Sequence, residues 1–243
     1  MKVNRPTLRS QLLFAGIALG VLVSAGYADA ASTLTHHFDS ETLDLRHLIG
    51  EVRVEQHGGS GFEVEVQVAG RDARDGMIEL RTEANRLDVL FPGGHSDFIY
   101  PALGRGSTSS IEIGHDKGEL FHGPGGAGRL RVRGQGDGLE LWADVVVRVP
   151  SGGRLEVDHA IGAIRVEGVD AELELATDSG RIEVHDSSGE IAAATGSGEI
   201  ELVRTDGKHV GLATGSGTIR IESSSGDTYE VGAGSGNVSI SGL

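Results

Sequence analysis

The chain of 243 residues contains no cysteine. Disulfides, thiolate metal sites, cysteine nucleophiles and a lipid-modified N-terminal cysteine are therefore excluded. Proline is scarce, at five, and aromatic residues make up only 4%. Basic residues are outnumbered, 21 Lys and Arg against 36 Asp and Glu, for a formal net charge of −15. Such a balance argues against nucleic acid as a partner and against unaided adsorption to anionic lipid. The apolar run at residues 12–23 is shorter than the ~20 residues a spanning helix needs, and no other run is long enough. It follows the positive residues Lys2, Arg5 and Arg9 and precedes the small-x-small site Ala28-Asp29-Ala30. That is the layout of a secretory signal peptide over residues 1–30. The expected product is exported (periplasmic, cell-surface or secreted), with no transmembrane segment after cleavage.

Glycine is abundant, at 39. It recurs with a period. Ser-Gly followed by an apolar residue appears as Ser179-Gly180-Arg181-Ile182, Ser197-Gly198-Glu199-Ile200, Ser216-Gly217-Thr218-Ile219 and Ser235-Gly236-Asn237-Val238, with Ile161-Gly162-Ala163-Ile164 as a degenerate copy. The corner glycines Gly162, Gly180, Gly198, Gly217 and Gly236 are 18 or 19 residues apart. A fixed period of that length signals stacked supersecondary units. Apolar pairs hold one phase after each glycine, as in Ile182/Val184 and Ile200/Leu202. A second set holds it before, as in Leu173/Leu175 and Ile191/Ala193. Residues two apart in a strand share a face, so both sets point inward. The expectation is an all-β solenoid with two short strands per rung. Glycine serves the tight corners.

Four segments follow: the signal peptide; an N-terminal β region at 31–92; a Gly/Ser/His-rich insertion at 93–138, expected to be flexible; and the solenoid repeat at 139–243. Leu43 and Leu45 before Gly50 match Leu173 and Leu175 before Gly180, which predicts an early rung of the same type.

The run Val145-Val146-Val147-Arg148-Val149-Pro150-Ser151-Gly152-Gly153, with the Gly-x-Ile-x-Val rungs and Thr-x-Ser-Gly-x-Ile corners after it, resembles a bacterial adhesin-like family of unknown function (domain of unknown function 4097). The resemblance covers 139–243 well and 43–91 loosely. It implies a single-stranded right-handed β-solenoid at or beyond the cell envelope, and no catalytic residues.

Several clusters have residue types that suggest chemistry. Asp178-Ser179-Gly180 has the form of an aspartic protease signature, but its equivalents in the next rungs are Gly196 and Gly215, and no second copy exists to form a carboxylate dyad. His185, Asp186 and Ser187 are triad residue types, yet sequence neighbours seldom form a triad. His95, His115 and His122 are the candidate metal ligands, in a spacing that matches no known ligand pattern; no metal or other cofactor is expected. Glu183 stacked on Glu201 is a like pair that could collect a cation, although the outward charges as a whole read as a solvated, mutually paired face. Trp142 is expected in the core and Tyr100 as the exposed aromatic.

The sequence thus points to a non-enzymatic interaction protein of the envelope, its partner an unknown envelope protein or glycan, with self-association through the C-terminal rung. A carbohydrate-binding or polysaccharide-degrading β-helix is the alternative, and a periplasmic sensor module the second. The last rung, from Gly236, is expected to be covered by a partner, a second copy or the N-terminal part of the chain.

Overall fold

In the computed structural model, residues 31–123 and 128–243 are described, apart from the side chains of His115 and Asp116. The expected signal peptide lies outside the described residues. The N-terminal region forms six strands: β1 (Ser32–Phe38), β2 (Thr42–Ile49), β3 (Val52–His57), β4 (Phe62–Ala69), β5 (Glu79–Glu83) and β6 (Arg86–Pro92). Five short strands follow: β7 (Asp97–Ile99), β8 (Thr108–Glu112), β9 (Phe121–His122), β10 (Arg129–Arg133) and β11 (Leu139–Glu140). One turn of α-helix, α1 (His115–Gly118), lies among them. The remainder is β12 (Trp142–Pro150), β13 (Arg154–Ile161), β14 (Ile164–Glu167), β15 (Glu172–Ser179), β16 (Ile182–His185), β17 (Ser188–Val203), β18 (Asp206–Glu222) and β19 (Ser225–Ser241).

Alternating burial makes these segments strands. In β4, Phe62, Val64, Val66 and Val68 are buried, while Glu63, Glu65 and Gln67 between them are not. The solenoid rungs stack in parallel with the offsets the sequence predicts: Thr177 pairs with Thr195, Thr195 with Thr214 and Thr214 with Ala233. Like therefore sits on like, and each inward column is an apolar ladder. Ile164, Ile182, Ile200 and Ile219 form one such column, every member at 0% exposure. Full burial of a side chain of this size stabilises by about 1.5–3 kcal/mol.

Two walls result. One runs β5-β6-β2-β13-β15 and the other β1-β4-β12-β3-β14-β16, and β17 belongs to both. The first half of β17 pairs with β15 and the second with β16. The later rungs are thus single bent strands of 16 or 17 residues rather than two short ones. Backbone pairing continues around the corner because Ser197, Gly198 and Glu199 each keep a register partner in β18.

The expected early rung exists, but not where chain order would put it. Leu43 pairs with Leu155 and Leu45 with Val157, while Val52 pairs with Ile164. On its other side, β3 pairs with β12. The β2–β3 rung is therefore wedged between β12 and the β13–β14 rung, although β12 and β13 are consecutive in sequence. The N-terminal region and the repeat share one hydrophobic core.

The segment expected to be a flexible insertion carries a second sheet, in the order β11-β7-β10-β8. Phe98, Ile99, Leu120, Phe121, Leu130 and Val132 from it are buried and join the main core, Ile99 excepted. Short apolar pieces that look weak in sequence are held here by burial. The expectation that the N-terminal part covers the last rung is not met, because among the described residues β19 pairs with β18 alone.

Candidate interaction surface

The corner glycines are required by close stacking. A Cβ on Gly180 would lie 1.8 Å from the carbonyl oxygen of Gly162 one rung below, and on Gly198 1.8 Å from that of Gly180. The column runs from Gly50, whose Cβ would strike the Ala143 carbonyl, through Gly162, Gly217 and Gly236. Gly180 needs glycine although its φ is not positive, so conformational freedom alone does not explain the repeat.

Three residues before each glycine is an inward corner column: His47, His159, Thr177, Thr195, Thr214 and Ala233. Thr195 donates its hydroxyl to the Gly180 carbonyl at 3.1 Å. In the two earliest members imidazoles take over. His47 and His159 are fully buried and stack with ring centroids 4.8 Å apart, and their Nδ1 atoms are 3.1 Å from each other. One must donate and the other accept, so the two rings cannot both be imidazolium cations. His159 Nε2 lies 3.0 Å from the Gly50 carbonyl, to which it donates as a protonated nitrogen. Burial pushes His159 down to about 4, against the stabilising bond to Gly50, and burial with the neighbouring His159 pushes His47 well below its usual value. The Ser-Gly phrase of the repeat does not point to this pair. Aligning Gly50 and Gly162 as corners would have found it, since both histidines occupy the threonine position.

The outer face of the second wall consumes its charges in ion pairs across rungs. Arg165 bridges Glu51 and Glu183, at 2.7 Å for the latter. Arg181 bridges Glu183 at 3.0 Å and Glu199 at 2.6 Å, and reaches Glu201 at 4.0 Å. Burial alone would raise Glu183, but its bonds to Arg181 and Arg165 hold it below the usual carboxylate range. The Glu183–Glu201 pair thus has arginine where a cation was considered. At exposed positions such bridges contribute about 0.2–1 kcal/mol each. The outer face of the first wall is also ion-paired over β6, β2 and β13, but across β15 to β19 it becomes a shallow groove lined by small side chains, Ala176, Ala192, Ala194 and Ala213, between Glu174 and Glu230.

Asp178 has a structural task. Lys117, beside α1's C-terminus, lies 2.5 Å from its carboxylate and 3.1 Å from that of Asp158, which ties the second sheet's segment to two rungs. Burial would lower Lys117, but the Asp178 bond and both carboxylate charges push it above its ordinary value. His185, Asp186 and Ser187 do not assemble as a triad. Ser187 donates to the His185 carbonyl at 2.7 Å, and Asp186 forms a two-point pair with Arg204.

The histidine candidates are apart in role. His95 is exposed beside Phe98, and His122 lies 2.9 Å from the Met77 carbonyl. The side chain of His115 lies outside the described residues. Among the described residues no group of three His, Asp or Glu is placed to hold a metal ion.

The aromatic expectation is corrected. Tyr100 is 5% exposed, and burial with the Asp144 and Glu51 charges pushes its hydroxyl up. Trp142 is half-buried on the outer face, 5.7 Å from the Tyr100 ring, donating to Asp144 at 3.2 Å. Strand parity sets this: Leu141 and Ala143 take the inward places, and Trp142 between them faces out.

Stacked glycine-led rungs and Thr-x-Ser-Gly corners fill the stretch from β12 to β19. The chain carries a Toastrack DUF4097 domain over residues 143–243. The resemblance read from the repeat is thereby shown, for a domain of unknown function. The Toastrack stretch starts inside β12 and leaves out the β2–β3 rung wedged among its own strands. Two solved structures are similar in outline. One is a candidate cell adhesion protein from Clostridium sporogenes, 10% identical, TM-score 0.43, covering 86% of this chain and 98% of that one. The other is a candidate adhesin from Bacteroides fragilis, 9% identical, TM-score 0.34, covering 86% and 96%. At such scores neither carries an argument about this chain. No curated protein matches it. No helix among the described residues is long and apolar enough to cross a membrane.

Proposed function

We propose that this chain is an exported, non-enzymatic interaction protein of the cell envelope. Its scaffold is a right-handed β-solenoid, adhesin-like in its use of long flat faces, and it self-associates through the terminal rung. Its partner in the envelope is a protein or a glycan.

The observation that carries this reading is where the polar chemistry is spent. The Arg165 and Arg181 bridges, the Lys117 anchor, the Asp186–Arg204 pair and the corner hydroxyls all connect one rung or segment to another. A polysaccharide-cleaving β-helix instead needs carboxylates converging on one bond. The small-residue groove of the first wall gives a partner a smooth surface to approach closely.

Two measurements test the reading. Intact-mass analysis of protein from an export-competent host should show a mature start at Ala31, with the protein outside the cytoplasm; an unprocessed cytoplasmic product refutes export. Incubation with a panel of acidic and neutral polysaccharides should release no products. Turnover abolished by a single carboxylate substitution refutes the non-enzymatic role.

A further inference from the structure

The terminal rung, β19, differs from every rung beneath it. Among the described residues the exposed large hydrophobic side chains are Val238 and Ile240, each 45% exposed, and Leu243 at 65%. All three lie in or just after β19. They occupy the columns that in lower rungs are sealed, for Val238 and Ile240 stack on Ile219 and Ile221, both fully buried. Natural edges are protected by lysine, proline, bulges or inward charge. Residues 225–243 contain no Lys, Arg, His or Pro, and their only charges are Asp227 and Glu230. The opposite end of the first wall does carry such protection, since β5 includes Glu79, Arg81 and Glu83.

The inward residues of β19 have a symmetry of their own. They are Tyr229 and Val231 before the corner and Val238 and Ile240 after it. Tyr229 and Ile240 are equidistant from the Gly234–Ser235 peptide, and so are Val231 and Val238. A two-fold axis through that corner, lying in the plane of the rung, exchanges the two walls and reverses the chain direction. It keeps inward faces inward.

We infer that β19 is the interface of a two-fold homodimer, in which two copies join their terminal rungs antiparallel with Tyr229 opposite the partner copy's Ile240 and Val231 opposite its Val238. This rests on the self-association part of the proposed function and specifies its geometry. In this register Glu230 faces a serine, Ser239, and Asp227 faces Gly242, so no carboxylate opposes another. Shifting the register by two residues one way sets Asp227 against Ile240; the other way, Tyr229 loses its apolar partner to Gly242. A two-fold interface closes on itself and forms no fibre. The free N–H and C=O groups of each β19 become paired, and the two cores become one.

The test uses protein expressed from the full chain. Light scattering during size exclusion at ~10 µM should give a dimer, and Ile240→Lys should weaken association at least 100-fold while circular dichroism remains that of the folded chain. Because the chain has no cysteine, cross-linking has no background. Val231→Cys and Val238→Cys proteins, each oxidised alone, should stay uncross-linked, whereas their equimolar mixture should give a disulfide dimer. A wild-type monomer overturns both this inference and the self-association reading. A dimer that Ile240→Lys does not disturb, a mixture that fails to cross-link, or open-ended assemblies growing with concentration overturns the two-fold register alone.

Discussion

Substituting Gly180 by alanine separates close stacking from backbone conformation as the reason for the corner glycines. Gly180 has no positive φ, so an L-residue there meets no torsional penalty. Its Cβ would nevertheless sit 1.8 Å from the Gly162 carbonyl oxygen, where about 3.0 Å is the practical minimum. The two rungs must part locally by about 1.2 Å. The ladder bonds flanking the contact are Gly162 N–H to Ser179 at 3.0 Å and Ile164 N–H to Arg181 at 2.9 Å. Opened by that much, both exceed hydrogen-bonding range. Leaving a buried backbone partner unsatisfied costs about 1–3 kcal/mol, so the pair predicts a loss of about 2–6 kcal/mol. The matched control is Gly211→Ala, where a Cβ would have nothing within 4 Å and φ is not positive. It should be neutral, or stabilising by up to ~1 kcal/mol through the unfolded chain. Urea unfolding followed by circular dichroism measures both. A Gly180→Ala protein within 1 kcal/mol of wild type, or no worse than Gly211→Ala, refutes the stacking argument.

Four further outcomes are expected. Stability should fall with acidity through the His47–His159 pair: the unfolded histidines take up protons below pH ~6.5, native His159 not until about 4 and burial holds His47 down as well, so stability is full above ~6.5 and falls as pH drops toward His159's folded value. For His159 alone this is about 3 kcal/mol, and the double variant His47→Thr/His159→Thr, which restores the column's other residue type, should flatten that part of the pH–stability curve. Lys117→Ala should release the segment tied to Asp158 and Asp178, seen as faster limited proteolysis within residues 93–138 while the rungs stay protected. Ser223→Gly should stabilise by about 1 kcal/mol in thermal unfolding, since Ser223 sits at φ 51°, where a side chain is strained. Residues 143–243 expressed alone should not give the native circular dichroism or a cooperative transition, because the β2–β3 rung between β12 and β13 would be missing.

The columns of the repeat were legible because a stacked solenoid makes sequence period and spatial register the same quantity. Thr177, Thr195 and Thr214 are aligned by counting and are neighbours in the fold. Even Leu43 and Leu45 could be placed as rung residues, since the rule is local. The order of rungs was not legible. Nothing in the spacing of Gly50 says that its rung lies between two strands that follow each other in sequence a hundred residues later. The burial of Phe98 and Leu130 was hidden for a related reason. Each is one of only two apolar residues in a short strand, and only the wall it packs against makes it core. The corner threonine's bond, Thr195 to the Gly180 carbonyl, carries no signal in the spacing itself. The outward charges, read as mutually paired, are paired as far as Arg165 and Arg181 extend.

The wedged rung also bears on how the chain is made. His47 and His159, which meet in the core, are 112 residues apart in sequence. At a synthesis rate of about 5–20 residues per second, β2 emerges roughly 6–20 s before β13, which takes its second edge. For that interval β2 has only β6 on one edge, and β3 lacks both β12 and β14. The first part of the molecule to be born is thus among the last to find its neighbours. Until β12, β13 and β14 arrive, these open strand edges must be kept apart from those of other copies.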